Sequence, residues 1–198
     1  MLTQTTTTLL DKLRDPENRT VWQEFDARYR PILHAFAHRL GLGDDDAADA
    51  AQEALAQFAR AYRSGRYERG RGRLRSWIIG IARNCIIDAL RARAARREQR
   101  GISALADVPG EDRLADIWDG ECQREILRQG LNALREHTRL EPQTIRAFEL
   151  LALGQRTSAE VAAECDMTMN DVYLAKHRCL TRLRPIVAAL SAAYEADE

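Results

Sequence analysis

The sequence predicts an all-α protein, built as two small helical domains joined by a flexible acidic linker, the second domain a helix-turn-helix. Three observations carry this reading. Apolar residues recur at helical spacing along most of the 198 residues, and the β-branched alternation of half-buried strands is absent. The glycines and the five prolines are read as breaks between periodic stretches. Residues 98–121 carry Gly, Pro and acid without helical periodicity, the composition of an interdomain linker. The expected division is therefore 1–97, a linker over 98–121, and 122–198.

Taken in order, residues 5–8 are four threonines, read as a frayed polar terminus. A first helix is expected over about 19–40 and a second over about 45–63. Asp44, Asp45 and Asp46 precede the Ala-rich second helix, and any of them could be its N-cap. Within it Asp49, Gln52 and Glu53 stand at i, i+3 and i+4. That acidic face reads either as solvated surface or as a protein-docking face.

Residues 64–72 form a connector with three glycines and three arginines, suited equally to solvent or to the backbone of single-stranded nucleic acid. A third helix follows over about 73–97. Its apolar stripe is Leu74, Trp77, Ile78, Ile81, Ala82, Cys85 and Ala89. At about 100° per residue, Trp77, Asn84, Asp88 and Arg91 lie along one edge of that stripe. Taken alone, Asn84 and Asp88 are an exposed polar edge. Beside Arg66, Tyr67, Arg71, Arg73 and the trailing Arg93, Arg96, Arg97 and Arg100, the edge reads as a nucleic-acid surface. It offers an aromatic platform, groups that pair with base edges, and arginines for phosphate.

Beyond the linker, helices are expected at about 122–137, 142–153, 158–165 and 169–190. Ala162, Asp166 and Val172 have helix-turn-helix spacing: a small residue for close approach, a turn residue that accepts φ > 0, and an apolar residue sealing the angle. Thr168 is placed to cap the last helix. Asn170, Tyr173, Leu174, His177 and Arg178 could meet a major groove, with Lys176 and Arg182 near phosphates. A packed helical hairpin that binds no DNA is the competing reading.

Charge supports the division. The formal net charge is zero, yet residues 60–100 hold thirteen arginines against Glu68, Asp88 and Glu98. Residues 103–125 hold seven acids against Arg113 and Arg124. Of 30 basic residues only Lys12 and Lys176 are lysines, and arginine is the better fork for phosphates and base edges. Cys85, Cys122, Cys165 and Cys179 form no CxxC pair and read as reduced thiols in a cytoplasm. No secretion signal, membrane span or membrane insertion is readable. His34 and His38 are four apart on one helix but lack the third ligand and glutamate of a metalloprotease motif. With no phosphate loop or nucleophile elbow, neither enzyme nor cofactor is expected.

Residues 46–55, DAADAAQEAL, resemble the "DAEDLVQEVF" signature of bacterial RNA polymerase sigma factors. Residues 74–91, LRSWIIGIARNCIIDALR, resemble their "FRGWLFRIARNLAIDYLR" helix, and the C-terminal helix-turn-helix resembles their region four. Trp22, Gln23, Glu24 and Phe25 with Tyr29 and Pro31 resemble the start of region two. The absence of intermediate regions is similar to the small extracytoplasmic-function (ECF) group.

The resemblance implies that Asp49, Gln52 and Glu53 dock on the β′ clamp of core RNA polymerase, with the β flap a second contact. It implies that Arg66, Tyr67, Arg71, Arg73, Trp77, Asn84, Asp88 and Arg91 capture and help melt the −10 element of promoter DNA. It implies that Asn170, Tyr173, Leu174, Lys176, His177, Arg178 and Arg182 read the −35 element. The acidic linker would thread toward the RNA exit channel, and an anti-sigma factor is admitted as a partner. Tyr173 and Ala175 stand where many relatives carry Lys or Arg, so a −35 base preference does not carry over. The alternative is a stand-alone helix-turn-helix regulator using 1–97 as a sensor or oligomerisation module. Such a module has no need for the 49/52/53 face or the Arg-rich third helix.

Overall fold

The computed structural model of the protein describes residues 6–13, 15, 18–67, 74–98, 109–154 and 156–195, and among them every regular element is an α-helix. In order these are α1 (Thr6–Leu13), α2 (Arg19–Arg39), α3 (Asp44–Arg63), α4 (Leu74–Glu98), α5 (Glu111–His137), α6 (Pro142–Ala152), α7 (Ser158–Glu164) and α8 (Met169–Glu195). None of the described helices is long and apolar enough to cross a membrane. The chain divides into two compact units, whose bodies are Gln4–Glu125 and Ile126–Tyr194.

In the first unit α2, α3 and α4 pack together. The small Ala47, Ala50, Ala51 and Ala54 form much of the buried face of α3 and let its backbone come close to its neighbours. Phe25 and Phe58 stack at 4.5 Å between ring centres, fixing α2 against α3. Leu74, Ile78, Ala82 and Cys85 of α4 are buried as their spacing predicts, but so are Ile79 and Ile86. Because α4 meets both α3 and α2, its buried face is wider than one stripe. Trp77, Ile81 and Ala89 are only half-buried on its flank.

Four expectations need correction. The threonine run is not wholly frayed: Thr6, Thr7 and Thr8 open α1, whose Leu9, Leu10 and Leu13 are fully buried. Eight residues are too few for a helix stable by itself. Each buried leucine stabilises by about 1.5–3 kcal/mol. The Tyr62 hydroxyl of α3 adds a hydrogen bond to the Leu10 carbonyl. The N-cap of α3 is Gly43, not an aspartate, and it makes no side-chain cap bond. Asp44, Asp45 and Asp46 all lie in the first turn, where carboxylates meet the positive end of the helix dipole. Pro31 and Pro185 sit inside α2 and α8 rather than between helices. Packing of long helices offsets the local cost of about 3 kcal/mol.

The fourth correction is the largest. Glu98 ends α4, residues 99–108 lie outside the described residues, and the rest of the expected linker from Glu111 onward is the start of α5. Leu114 and Trp118 recur at i and i+4 and are buried in the first unit, with Trp118 edge-on to Phe36 at 5.6 Å. Two of the acids beside them are paired. Arg75 forks Asp119, its Nε and NH2 donating at 2.8 and 2.6 Å, and its NH2 also reaches the Ala115 carbonyl at 3.1 Å. Arg39 Nε donates to the buried Glu121 at 3.1 Å, and Arg124 pairs with the same carboxylate. The acid-rich composition hid an amphipathic helix, two of whose carboxylates pair with Arg75 of α4 and Arg39 of α2.

In the second unit one core gathers Leu131, Leu134, Ile145, Phe148, Cys179 and Leu183. A second gathers Ala147, Val161, Ala162, Cys165, Val172 and Ala175. Gly130 of α5 faces α8 at short range: a Cβ there would stand 3.1 Å from both Leu183 and Val187.

Trp118→Ala should cost about 3–5 kcal/mol, the usual range for emptying a buried aromatic site. The exposed Asp116→Ala on the same helix should stay within about 0.5 kcal/mol. Urea unfolding followed by circular dichroism checks both. Equal midpoints for the two variants would show that the first half of α5 does not support the fold.

Candidate functional site

Three surfaces hold the residues singled out in the sequence. On α3, Asp49, Gln52 and Glu53 are all exposed, on the side of the helix away from the buried alanines. Glu53 is not a bare carboxylate. It accepts from Gln57 Nε2 at 3.1 Å and Arg60 NH2 at 2.8 Å, and these bonds hold its pKa below the ordinary 4.5. Asp49 therefore presents the less compensated negative charge of the face.

On α4, Asn84, Asp88 and Arg91 are exposed along one edge, with Arg91 NH1 3.5 Å from Asp88 Oδ1. Trp77 shares that edge but is no open platform. Tyr67 lies nearly parallel to its ring at 4.9 Å, and Phe58 stands 5.0 Å away on α3. Tyr67 also stacks with Tyr62 at 6.0 Å, so the start of the arginine-rich connector is tied to the core by aromatic contact. Arg66 is exposed beside it, whereas Arg71 and Arg73 lie outside the described residues. Arg93 is committed elsewhere: its NH1 donates to the Gly41 carbonyl at 2.8 Å, at a turn where Gly41 takes φ +96°. Sequence reading also passed over Arg63, whose guanidinium sits 4.9 Å over the Trp22 ring.

The third surface is built by α7, the turn after it, and α8. The Thr157 hydroxyl accepts from Glu160 N and the Glu160 carboxylate accepts from Thr157 N, a capping box that starts α7. Asp166 takes φ +50° in the turn, the left-handed conformation its spacing calls for. Thr168 and Asp171 repeat the reciprocal arrangement at the start of α8. Asp171 N donates to Thr168 Oγ1 at 3.2 Å, while Asp171 Oδ2 accepts from Thr168 N at 3.1 Å and Thr168 Oγ1 at 2.6 Å. Val172, Ala175 and Cys179 point into the core. Asn170, Tyr173, Leu174, Lys176, His177, Arg178 and Arg182 are all exposed. Met169, not singled out in the sequence, is exposed with them.

The four cysteines are free thiols, and burial pushes Cys85 and Cys179 up to about 11 and Cys122 up to about 12. His34 Nε2 stands 3.2 Å from Asp44, and no cluster of three metal-ligating side chains occurs among the described residues.

Residues 25–96 match the family model of sigma-70 region 2. The chain is 27% identical over 177 residues to the ECF RNA polymerase sigma factor RpoE of Cereibacter sphaeroides, covering 89% of this chain and 91% of that protein. A solved structure of CnrH in complex with the cytosolic domain of CnrY is 18% identical, covering 92% of this chain and 96% of that one at a TM-score of 0.37.

The box at the start of α8 has a pH signature. Hydrogen bonds from the Thr168 hydroxyl and backbone N–H hold the Asp171 pKa below its ordinary 3.8. A depressed carboxylate contributes stability that is present above the ordinary value and lost as pH falls through the folded-state value. Carbon-detected NMR titration of Asp171 should therefore give a midpoint below 3.8, rising toward it in Thr168→Ala. A midpoint unmoved by that substitution would remove the box as the cause.

Proposed function

We propose that the chain is a bacterial RNA polymerase sigma factor of the ECF group, in keeping with the match of residues 25–96 to sigma-70 region 2 and the 27% identity to an ECF sigma factor, and that it binds core RNA polymerase and directs promoter-specific initiation through −10 and −35 recognition. The observation that carries the proposal is the pairing of faces in the first unit. One helix packing leaves Asp49, Gln52 and Glu53 exposed on α3 and Asn84 and Asp88 exposed on α4. An acidic face gains nothing against DNA, so it is assigned to a protein, the β′ clamp. The arginine-flanked edge is assigned to promoter DNA at the −10 element, with Arg66, Tyr67, Trp77 and Arg91, and with Arg71 and Arg73 from the connector.

In the second unit α8 is assigned to the −35 element. Asn170, Tyr173, Leu174, His177 and Arg178 meet base edges, and Lys176 and Arg182 meet phosphates. The β flap is its polymerase contact. Region two then belongs to the first unit, which holds α5 as far as Glu125, and region four to the second, whose body begins at Ile126. The protein works in the cytoplasm, and the chemistry of RNA synthesis belongs to the polymerase.

Reversing charge at Asp49→Arg with Glu53→Arg should abolish co-purification with core polymerase while leaving the thermal melt nearly unchanged. Exposed ion pairs such as Glu53 with Arg60 contribute only about 0.2–1 kcal/mol. Undiminished co-purification of the double variant would reject the docking assignment.

A further inference from the structure

The outward face of α8 is more apolar than phosphate contact or hydrogen-bonded base reading requires. Met169 is 42% exposed, Tyr173 56% and Leu174 40%, all within the first two turns. They are not lost from the core, because Val172, Ala175 and Cys179 fill the inward positions at no more than 2% exposure. Leaving three large apolar side chains in water forgoes their burial, so a partner that covers them is the economical explanation. The surround identifies the partner's charge: Lys176, Arg178 and Arg182 are exposed on the same helix. Asp171, the acid of its first turn, is held by Thr168. Basic side chains and exposed apolar ones on one helix complement a polyanion with apolar groups in its groove.

Duplex DNA offers one such group. In the major groove the thymine 5-methyl is the apolar feature of the base edges, and it distinguishes A·T from G·C pairs without a hydrogen bond. We propose that Met169, Tyr173 and Leu174 read thymine methyl groups, so that this chain selects a −35 element with thymines, on either strand, facing the first two turns of α8. The inference rests on the assignment of α8 as the promoter-reading helix. It adds the class of base that is read and a contact residue, Met169. Leucine has no hydrogen-bonding group and methionine only a weakly accepting sulfur, and the Tyr173 ring can lie against a methyl whatever its hydroxyl does.

The test uses the full chain assembled with core polymerase and a duplex library randomised across the −35 region. The selected duplex is then remade with deoxyuridine for thymine at one position at a time, which removes a methyl and leaves the hydrogen-bonding edge intact. Binding should fall about fourfold at the thymines that are read, the effect of losing one buried carbon. Leu174→Ala, an exposed substitution whose thermal melt should match the parent, should bind at least one thymine duplex and its deoxyuridine counterpart alike. Equal binding of thymine and deoxyuridine at every position, with a −35 sequence still selected, overturns methyl reading and leaves α8 as the recognition helix. Leu174→Ala that weakens assembly with polymerase but keeps the methyl discrimination also overturns it, placing a protein on the patch. No −35 selection by an intact assembly rejects the assignment of α8 itself.

Discussion

Phe58 is the contact on which the first unit depends. It stacks on Phe25 of α2 at 4.5 Å, on Tyr62 of its own helix at 5.7 Å and against Trp77 of α4 at 5.0 Å. Turning Phe58 inward sets the phase of α3, because each residue advances by about 100°. Asp49 falls on the opposite side, flanked by Gln52 and Glu53. The phase of α4 is set instead by the buried Leu74, Ile78, Ala82, Cys85 and Ile86, which leave Asn84 and Asp88 on an exposed edge beside the half-buried Trp77. The two proposed binding faces are what remains outside once these residues are inside. Tyr67 extends the arrangement by lying on Trp77 and tying the arginine-rich connector to the core.

The charge pattern gains a different meaning from the fold. In the sequence, a basic block followed by an acidic one suggests one surface for DNA and a loose tether that avoids it. In the structure, Asp119 and Glu121 hold Arg75 and Arg39, so part of the acidity serves the packing of α5. Arginines are thereby sorted. Arg75 and Arg93 act on their own fold, while Arg66 and Arg91 stay exposed beside the α4 edge. Net charge over a segment could not make that distinction, because it depends on which side chains meet across helices.

Much of the fold was legible because its signals are local. Apolar periodicity gives α2, α3, α4 and α6 to within about two residues. Thr168, Asp166 and Val172 announce the turn into α8 because a cap, a left-handed residue and a sealing apolar residue each need a particular side chain. What stayed hidden depends on partners distant in sequence. α1 is short and threonine-rich, and only burial of Leu9, Leu10 and Leu13 holds it. The first half of α5 has Leu114 and Trp118 at helical spacing, but Gly110, Gly120 and a surplus of acid outweigh them without Phe36 and Arg75 in view. Trp77 reads as a platform until Tyr67 is seen lying on it. The exposed apolar face of α8 was half visible: Tyr173 and Leu174 stood out by position, whereas Met169 is marked only by its exposure.

If these faces belong to one initiation factor, mapping of transcription start sites will show it. Purified chain and core polymerase would transcribe genomic DNA in vitro, with 5′ ends sequenced against a reaction lacking the chain. New start sites should appear only with the chain and share two upstream elements at fixed separation. A start-site map identical with and without the chain, from a polymerase shown to be active with another initiation factor, would contradict this role.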